Sequence, residues 1–202
     1  MPRLYGAFFS IMKMINISAA VLAGGKSIRM KSDKLFLPVG RSTLLRKTVD
    51  LLDEIFPQVM LVSANQMVRS QYRNKKIVCD HYINCGPLAG IHAALTHAET
   101  EAVFVFASDM PNLNRIMIET MIELYDEDFD ALVPRHPQGI EPLHAIYSVK
   151  CLPVIESNLN NQSFSVRDFY PKVRIEYLDL NKTKIHSFFN VNTPADLKEI
   201  IG

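Results

Sequence analysis

Short unbroken apolar runs alternate along this chain with longer segments in which apolar residues return at helical spacing. The runs Ile17 to Leu22, Val59 to Val62, Ile77 to Val78, Ala102 to Ala107, Ala131 to Pro134, Leu143 to Val149 and Val173 to Leu178 predict strands. Several of them are apolar at almost every position, the pattern of parallel strands covered on both faces. Between them, Ser42 to Ile55 places Leu44, Leu45, Leu51, Leu52 and Ile55 on one stripe of a helix, with Ser42 or Thr43 as its cap and Pro57 closing it. A second helix begins at Gly86 and contains Ile91, Ala94 and Leu95. A third runs from Asn114 to Tyr125, with Met117, Ile118, Met121 and Ile122 turned inward, and a fourth from about Cys151 to Leu159. A last helix starts at Pro194, where Thr193 caps, proline takes the first position and Asp196 lies in the first turn. Such alternation predicts a twisted, mostly parallel sheet between two helical layers, a Rossmann-like three-layer α/β/α fold with right-handed crossovers. Ligands of such sheets bind at the carboxyl ends of the strands.

Composition bounds this picture. A chain of 202 residues with 48% hydrophobic content is long for one domain and short for two, so residues 17–202 are read as a single domain. Residues 1–16 read as a peripheral N-terminal extension: Arg3 precedes an apolar stretch that Lys13 interrupts, no small-residue cleavage site follows, and the stretch is too short to span a bilayer. Met12 or Met14 is an alternative start. The net charge of +1 argues against nucleic-acid or membrane-surface partners. Three cysteines without a Cys-x-x-Cys pair fit a reducing cytoplasm, and Cys79, His81 and Cys85 lack zinc-ligand spacing.

The chemistry is concentrated after the first strand. Ser18 to Leu22 delivers Ala23-Gly24-Gly25, then Lys26, Arg29 and Lys34. Paired glycines let backbone N–H groups approach an anion, and the cations are spaced to converge on one polyphosphate. A P-loop needs glycine where Ala20 stands, and the dinucleotide fingerprint needs a third glycine that is missing, so this is a different phosphate loop. Asp109 leaves the carboxyl end of the Ala102 to Ala107 strand, where one carboxylate suits Mg²⁺, which completes its shell with phosphates and water. Capping of the next turn is its bland alternative. Asp80 likewise ends a short strand. Gly86-Pro87-Leu88-Ala89-Gly90 opens a helix whose unpaired N–H groups suit a base or a phosphate. His92 and His97, inside that helix, read as structural. Asn190 and Asn192 fall on one face of an extended segment, Asn192 offering an amide oxygen to the metal or phosphates.

These residues carry a family resemblance. Leu22-Ala23-Gly24-Gly25, Ser27-x-Arg29-Met30, Asp33-Lys34, Cys85 to Gly90, Ser108-Asp109-Met110-Pro111, Glu141-Pro142-Leu143-His144-Ala145-Ile146-Tyr147 and Phe189-Asn190-Val191-Asn192-Thr193-Pro194 resemble, in order, the blocks of the molybdenum cofactor guanylyltransferase (MobA-like) family. The resemblance runs from about Ile17 to the C-terminus. It implies the nucleotidyltransferase version of the fold and transfer of GMP from GTP to the terminal phosphate of molybdenum-molybdopterin, with release of pyrophosphate. Mg²⁺ is the implied metal, with Mn²⁺ as the alternative, held by Asp109 and Asn192. GTP is then bound by Leu22, Ala23, Gly24, Gly25, Lys34, Ser63, Asp80, Gly86, Pro87, Leu88, Gly90 and Asp109. Arg29, Lys34 and Asp109 are the implied catalytic groups. Glu141, Pro142, His144, Arg167 and Asn190 are the implied acceptor contacts, Arg167 from the segment Phe164 to Phe169. Chaperones of molybdoenzymes or other cofactor-biosynthesis proteins are the implied macromolecular partners.

Two positions depart from the family pattern: Ser63 stands where many relatives have asparagine, and Lys31 where they have glycine. The Ala-Gly-Gly form of the loop favours guanine over cytosine, for which relatives tend to show Ala-Ala-Gly. The rival readings are a cytidylyltransferase or another small-molecule nucleotidyltransferase of the same fold, and a non-catalytic GTP-binding adaptor.

Overall fold

The computed structural model describes residues 16–24, 35–36, 38–39, 42–82, 84–110 and 112–180. A central sheet is built from β1 (Ile17–Leu22), β4 (Val59–Val62), β5 (Lys76–Val78), β6 (Ala102–Ala107), β7 (Ala131–His136), β9 (His144–Ser148) and β10 (Ile175–Asp179), in the order β10-β7-β9-β6-β1-β4-β5. The short β8 (Gly139–Ile140) pairs with β7. Every residue of β1, β4, β6 and β9 is buried, the polar Ser18, His144 and Ser148 included.

Alternation along these strands sorts the side chains into two cores. Ala19, Val21, Leu61, Phe104 and Phe106 face α1 (Leu44–Asp53) and α4 (Arg115–Leu124), with Phe56 edge-on to both phenylalanine rings at 6.0 Å. Ala20, Leu22, Met60, Val62, Val103 and Val105 face α3 (Gly86–Thr96) and α5 (Leu152–Asn160). The expected three layers are therefore present.

The helix expected over Ser42 to Ile55 is shorter at both ends. Ser42–Thr43 (β3) pairs antiparallel with Pro38–Val39 (β2), and the Thr43 hydroxyl caps α1 by accepting from the Arg46 N–H at 3.3 Å. Leu51 is only half-buried, and Thr48 and Val49 complete the buried stripe. Two short helices, α2 (Gln66–Gln71) and α6 (Val166–Phe169), are capped by Asn65 and Ser165.

The sheet is parallel across β5, β4, β1 and β6, and again between β7 and β10. Strand β9 runs antiparallel to both β6 and β7. The chain passes from β7 through β8 to β9 without a helix, and so short a connection returns the chain antiparallel rather than by a crossover. No described helix is long and apolar enough to cross a membrane. The expected extension and the expected helix from Pro194 lie outside the described residues, apart from Asn16.

Candidate active site

The pairing register brings the functional segments to one edge. Leu22, Val62, Val78 and Ala107 are the carboxyl ends of four parallel strands. Because β9 is antiparallel to β6, its first residue, His144, pairs with Phe106. The carboxyl ends of β7 and β10 and the β8 hairpin reach the same rim, with Asp179 paired to Arg135 and Gly139 to His136.

On the β1 side, the strand end is held by backbone and by one hydroxyl. The Ala23 N–H donates to Val62 O at 3.0 Å, and the Ser63 N–H to Val78 O at 2.8 Å. Ser63 Oγ donates to Ala23 O at 2.8 Å and accepts from the Asn65 N–H at 3.1 Å. Ser63 is 2% exposed, so its hydroxyl is occupied in tying β1 to β4 beneath Gly24. Gly24 itself is exposed, and what it presents at the rim is backbone.

Two glycines of α3 answer to different demands. Gly86 has φ +69, a left-handed conformation that side chains resist, and a Cβ there would lie 3.9 Å from Phe164 O. It turns the chain into the helix beside the Phe164 to Phe169 segment. Gly90 is buried, and a Cβ there would come within 3.1 and 3.2 Å of the Leu22 methyl carbons. Its bareness lets α3 close against the end of β1. Leu88 is fully buried, whereas Pro87 is exposed at the first turn. His92 contacts Glu156 of α5 at 3.2 Å, and His97 Nδ1 contacts Ala93 O at 3.1 Å, so both have structural partners.

Asp80 follows β5 and is half-buried. Burial pushes its carboxyl above the ordinary range, opposed by a backbone hydrogen bond and by His81. Asp109 is half-buried in the turn after β6. There the sheet changes from parallel pairing with β1 to antiparallel pairing with β9, and the Ala107 N–H donates to Leu143 O at 2.9 Å. Asp109 thus stands between Gly24 on one side and the Glu141 to His144 segment on the other. No cluster of three metal-ligating side chains occurs among the described residues. A lone carboxylate at this seam still fits a hard divalent cation, whose remaining ligands come from phosphates and water.

On the β9 side, side chains do the positioning. Glu141 Oε1 lies 2.8 Å from His136 Nε2, and the Glu141 N–H donates to Pro134 O at 3.0 Å. Pro142 O accepts from the Tyr147 hydroxyl at 2.8 Å, and the Tyr147 and Tyr170 hydroxyls meet at 2.7 Å. The Tyr147 proton is committed to Pro142, so Tyr170 is the donor to Tyr147. Both phenols are pushed upward by burial. Exposed Arg167 lines a cleft of about 530 Å³ together with Gly139, Ile140, Tyr170, Pro171, Val173, Ile175 and Tyr177.

His144, expected at the acceptor, is placed differently. It is 0% exposed and stands edge-on to Phe104 and Phe106, at 5.2 Å from each, in the α1 and α4 core. Burial holds its imidazole down at about 3, so the ring is neutral in the folded protein at ordinary pH. Gly25, Lys26, Arg29, Lys31, Lys34, Asn190 and Asn192 lie outside the described residues.

His136, Tyr147, Tyr170 and Tyr177 were not among the residues expected at the site. Tyr147 and Tyr170 are 23 residues apart, and no local pattern joins them. The alternation that buries Tyr147 was visible, but the partner of its hydroxyl was not.

A doubly covered sheet with a phosphate-suited strand end, a seam carboxylate and a second binding side on one rim defines a nucleotidyltransferase-type fold. Solved structures agree. Molybdopterin-guanine dinucleotide biosynthesis protein A from Archaeoglobus fulgidus superimposes with a TM-score of 0.76 at 26% identity, covering 91% of this chain and 96% of that one. The 4-diphosphocytidyl-2C-methyl-D-erythritol synthase of Anaerococcus prevotii shares the fold at a TM-score of 0.67 and 14% identity, covering 96% and 97%. The MobA-like NTP transferase domain model matches residues 19–173, and the chain belongs to that family. A probable molybdenum cofactor guanylyltransferase of Pelotomaculum thermopropionicum is 38% identical over 189 residues, 91% of each chain. A molybdenum cofactor guanylyltransferase of Desulfosudis oleivorans is 30% identical over 189 residues, 91% of this chain and 93% of the relative.

Proposed function

We propose that this chain transfers GMP from GTP to the terminal phosphate of molybdenum-molybdopterin. An acceptor phosphate oxygen forms a bond to the α-phosphorus of GTP, the bond from that phosphorus to the bridging oxygen breaks, and pyrophosphate leaves. The observation that carries this reading is the placement of Asp109 at the seam between the glycine-ended β1 and the Glu141 to Pro142 rim.

In this reading the exposed backbone at Gly24 holds the triphosphate, and the half-buried Asp80 carboxylate accepts from donors of the nucleoside. The first turn of α3, opened by Gly86, offers unpaired N–H groups beside it. Ser63 and Gly90 serve the same side by fixing the strand and helix that carry these groups. Glu141, Pro142 and Arg167 receive the acceptor. The attacking phosphate is already an anion at neutral pH, so orientation and charge neutralisation are the enzyme's tasks. Asp109, with Asn192, is assigned to Mg²⁺ or Mn²⁺, which supplies charge neutralisation at the phosphates. Arg29 and Lys34 are assigned to the same developing charge from their spacing in the sequence. The cytoplasm is the proposed location, and chaperones of molybdoenzymes the proposed partners.

A nucleotide panel tests the reading. With Mg²⁺ and molybdenum-loaded molybdopterin, GTP is expected to release pyrophosphate well above CTP, ATP and UTP. Equal turnover with CTP overturns the guanylyl assignment. GTP binding without pyrophosphate release identifies a non-catalytic adaptor.

A further inference from the structure

The β7–β8 hairpin carries a histidine, His136, to which the proposed transfer gives no part. His136, the last residue of β7, pairs with Gly139 across the loop Pro137-Gln138. Its side chain is only 7% exposed, and that of Glu141 is 21% exposed. His136 Nε2 lies 2.8 Å from Glu141 Oε1, and on the other side of the ring Nδ1 lies 2.8 Å from Gln138 Oε1 and accepts from the Gln138 N–H at 3.2 Å.

The donor assignment follows from the groups. An ionised carboxylate only accepts, so the hydrogen between His136 and Glu141 resides on Nε2. On the other side Nδ1 is engaged by Gln138 of the same turn, through its side-chain amide at 2.8 Å and its backbone N–H at 3.2 Å, which holds the ring from the hairpin. The ring is held on one side by its own turn and directs its N–H at Glu141 on the other. The backbone around Glu141 is fixed as well: its N–H donates to Pro134 O at 3.0 Å, and its O accepts from the His144 N–H at 3.1 Å. A glutamate side chain carries three rotatable bonds, and a hydrogen bond to a charged oxygen is the contact able to select one of its rotamers. With Oε1 engaged by His136, Oε2 is the oxygen left to accept from a ligand N–H.

We propose that His136 is a positioning residue for the acceptor, fixing the Glu141 carboxylate so that Oε2 receives an N–H donor of the acceptor heterocycle. The proposal rests on the reading that Glu141 lies on the acceptor side of the rim. It assigns no proton transfer to His136 and no contact between His136 and the nucleotide.

Two measurements test it, one independent of turnover. In ¹⁵N-histidine-labelled protein, the Nε2–H resonance of His136 is expected to be slow in solvent exchange and to shift on Glu141→Gln; an unmoved resonance overturns the hydrogen bond. In steady-state assays, His136→Ala is expected to raise the KM for molybdenum-molybdopterin roughly tenfold, with the KM for GTP changed less than about twofold. His136→Gln, which retains an N–H donor, is expected to recover most of that loss. In a Glu141→Ala background, His136→Ala is expected to add nothing. Equal increases in both KM values, or the same increment without Glu141, overturn the proposal and leave His136 a packing residue. Should the alanine protein not fold, His136→Phe keeps the ring volume and removes the N–H, and is read in the same way. Absence of wild-type turnover with this acceptor would overturn the proposed function instead, while the resonance still decides whether the His136–Glu141 bond exists.

Discussion

The two sides of the site are built by different means. From β5 to β6 the strands are parallel and almost wholly apolar, and the groups at their ends are backbone, glycine and single carboxylates. From β9 to β10 the pairing is mixed, and buried polar side chains set the geometry: His136 on Glu141, and Tyr170 through Tyr147 on Pro142. A triphosphate can be held by N–H groups and cations on a fixed loop. A larger, polyfunctional acceptor needs acceptors and donors at chosen angles, which side chains supply.

The seam between the two sides offers the largest effect. Asp109 follows β6, the strand shared by both pairing modes. Asp109→Ala is expected to lower pyrophosphate release roughly 100-fold or more while leaving the melting temperature within a few degrees, as the loss of one charge-stabilising group at a transferring phosphate does. If turnover survives and only stability falls, Asp109 is a turn cap and the seam has no chemical role.

How much of this was legible in the sequence follows the same division. Parallel strands covered on both faces must be apolar throughout, so β1, β4 and β6 announced themselves, and Asp80 and Asp109 stood out as the charges just beyond such runs. Pairs such as β2, β3 and β8 are too short to show any period, and α2 and α6 are short and half polar. The antiparallel turn at β9 was hidden because its connection, not its composition, sets its direction. His144 shows a related limit: it packs against Phe104 and Phe106, on a strand far away in the chain, and a histidine in a motif block carries no local mark of burial.

The apolar side depends on close approach, and Gly90 measures how close. A Cβ on Gly90 would press on the Leu22 methyl carbons at 3.1 and 3.2 Å. Gly90→Val, which adds branches to that Cβ, is expected to destabilise the protein by about 1–3 kcal/mol in urea unfolding. Leu22→Ala in the same protein is expected to restore part of that loss by clearing the space. No rescue would mean that the helix, not its contact with β1, suffers from the valine.

On the polar side the comparison sharpens through pH. Burial lowers the His144 pKa from its ordinary 6.5 to about 3, so between these values the unfolded chain binds a proton that the folded chain refuses. The unfolded state then holds more protons, and stability must rise with pH across that window. Read downward, folding loses stability as pH falls below about 6.5, on the order of 2 kcal/mol by pH 5 from this group. The carboxyl of Asp179 is lowered by its bond to Arg135, so it also stabilises at higher pH, but its window lies below the ordinary carboxylate range. Urea unfolding at pH 7 and pH 5 separates the two. His144→Leu, which fills the space between Phe104 and Phe106 without a titrating group, is expected to flatten the slope between these pH values, whatever its stability at pH 7. An unchanged slope would mean that the buried ring takes up its proton in the folded state, and that water reaches the α1 and α4 core at its β9 end.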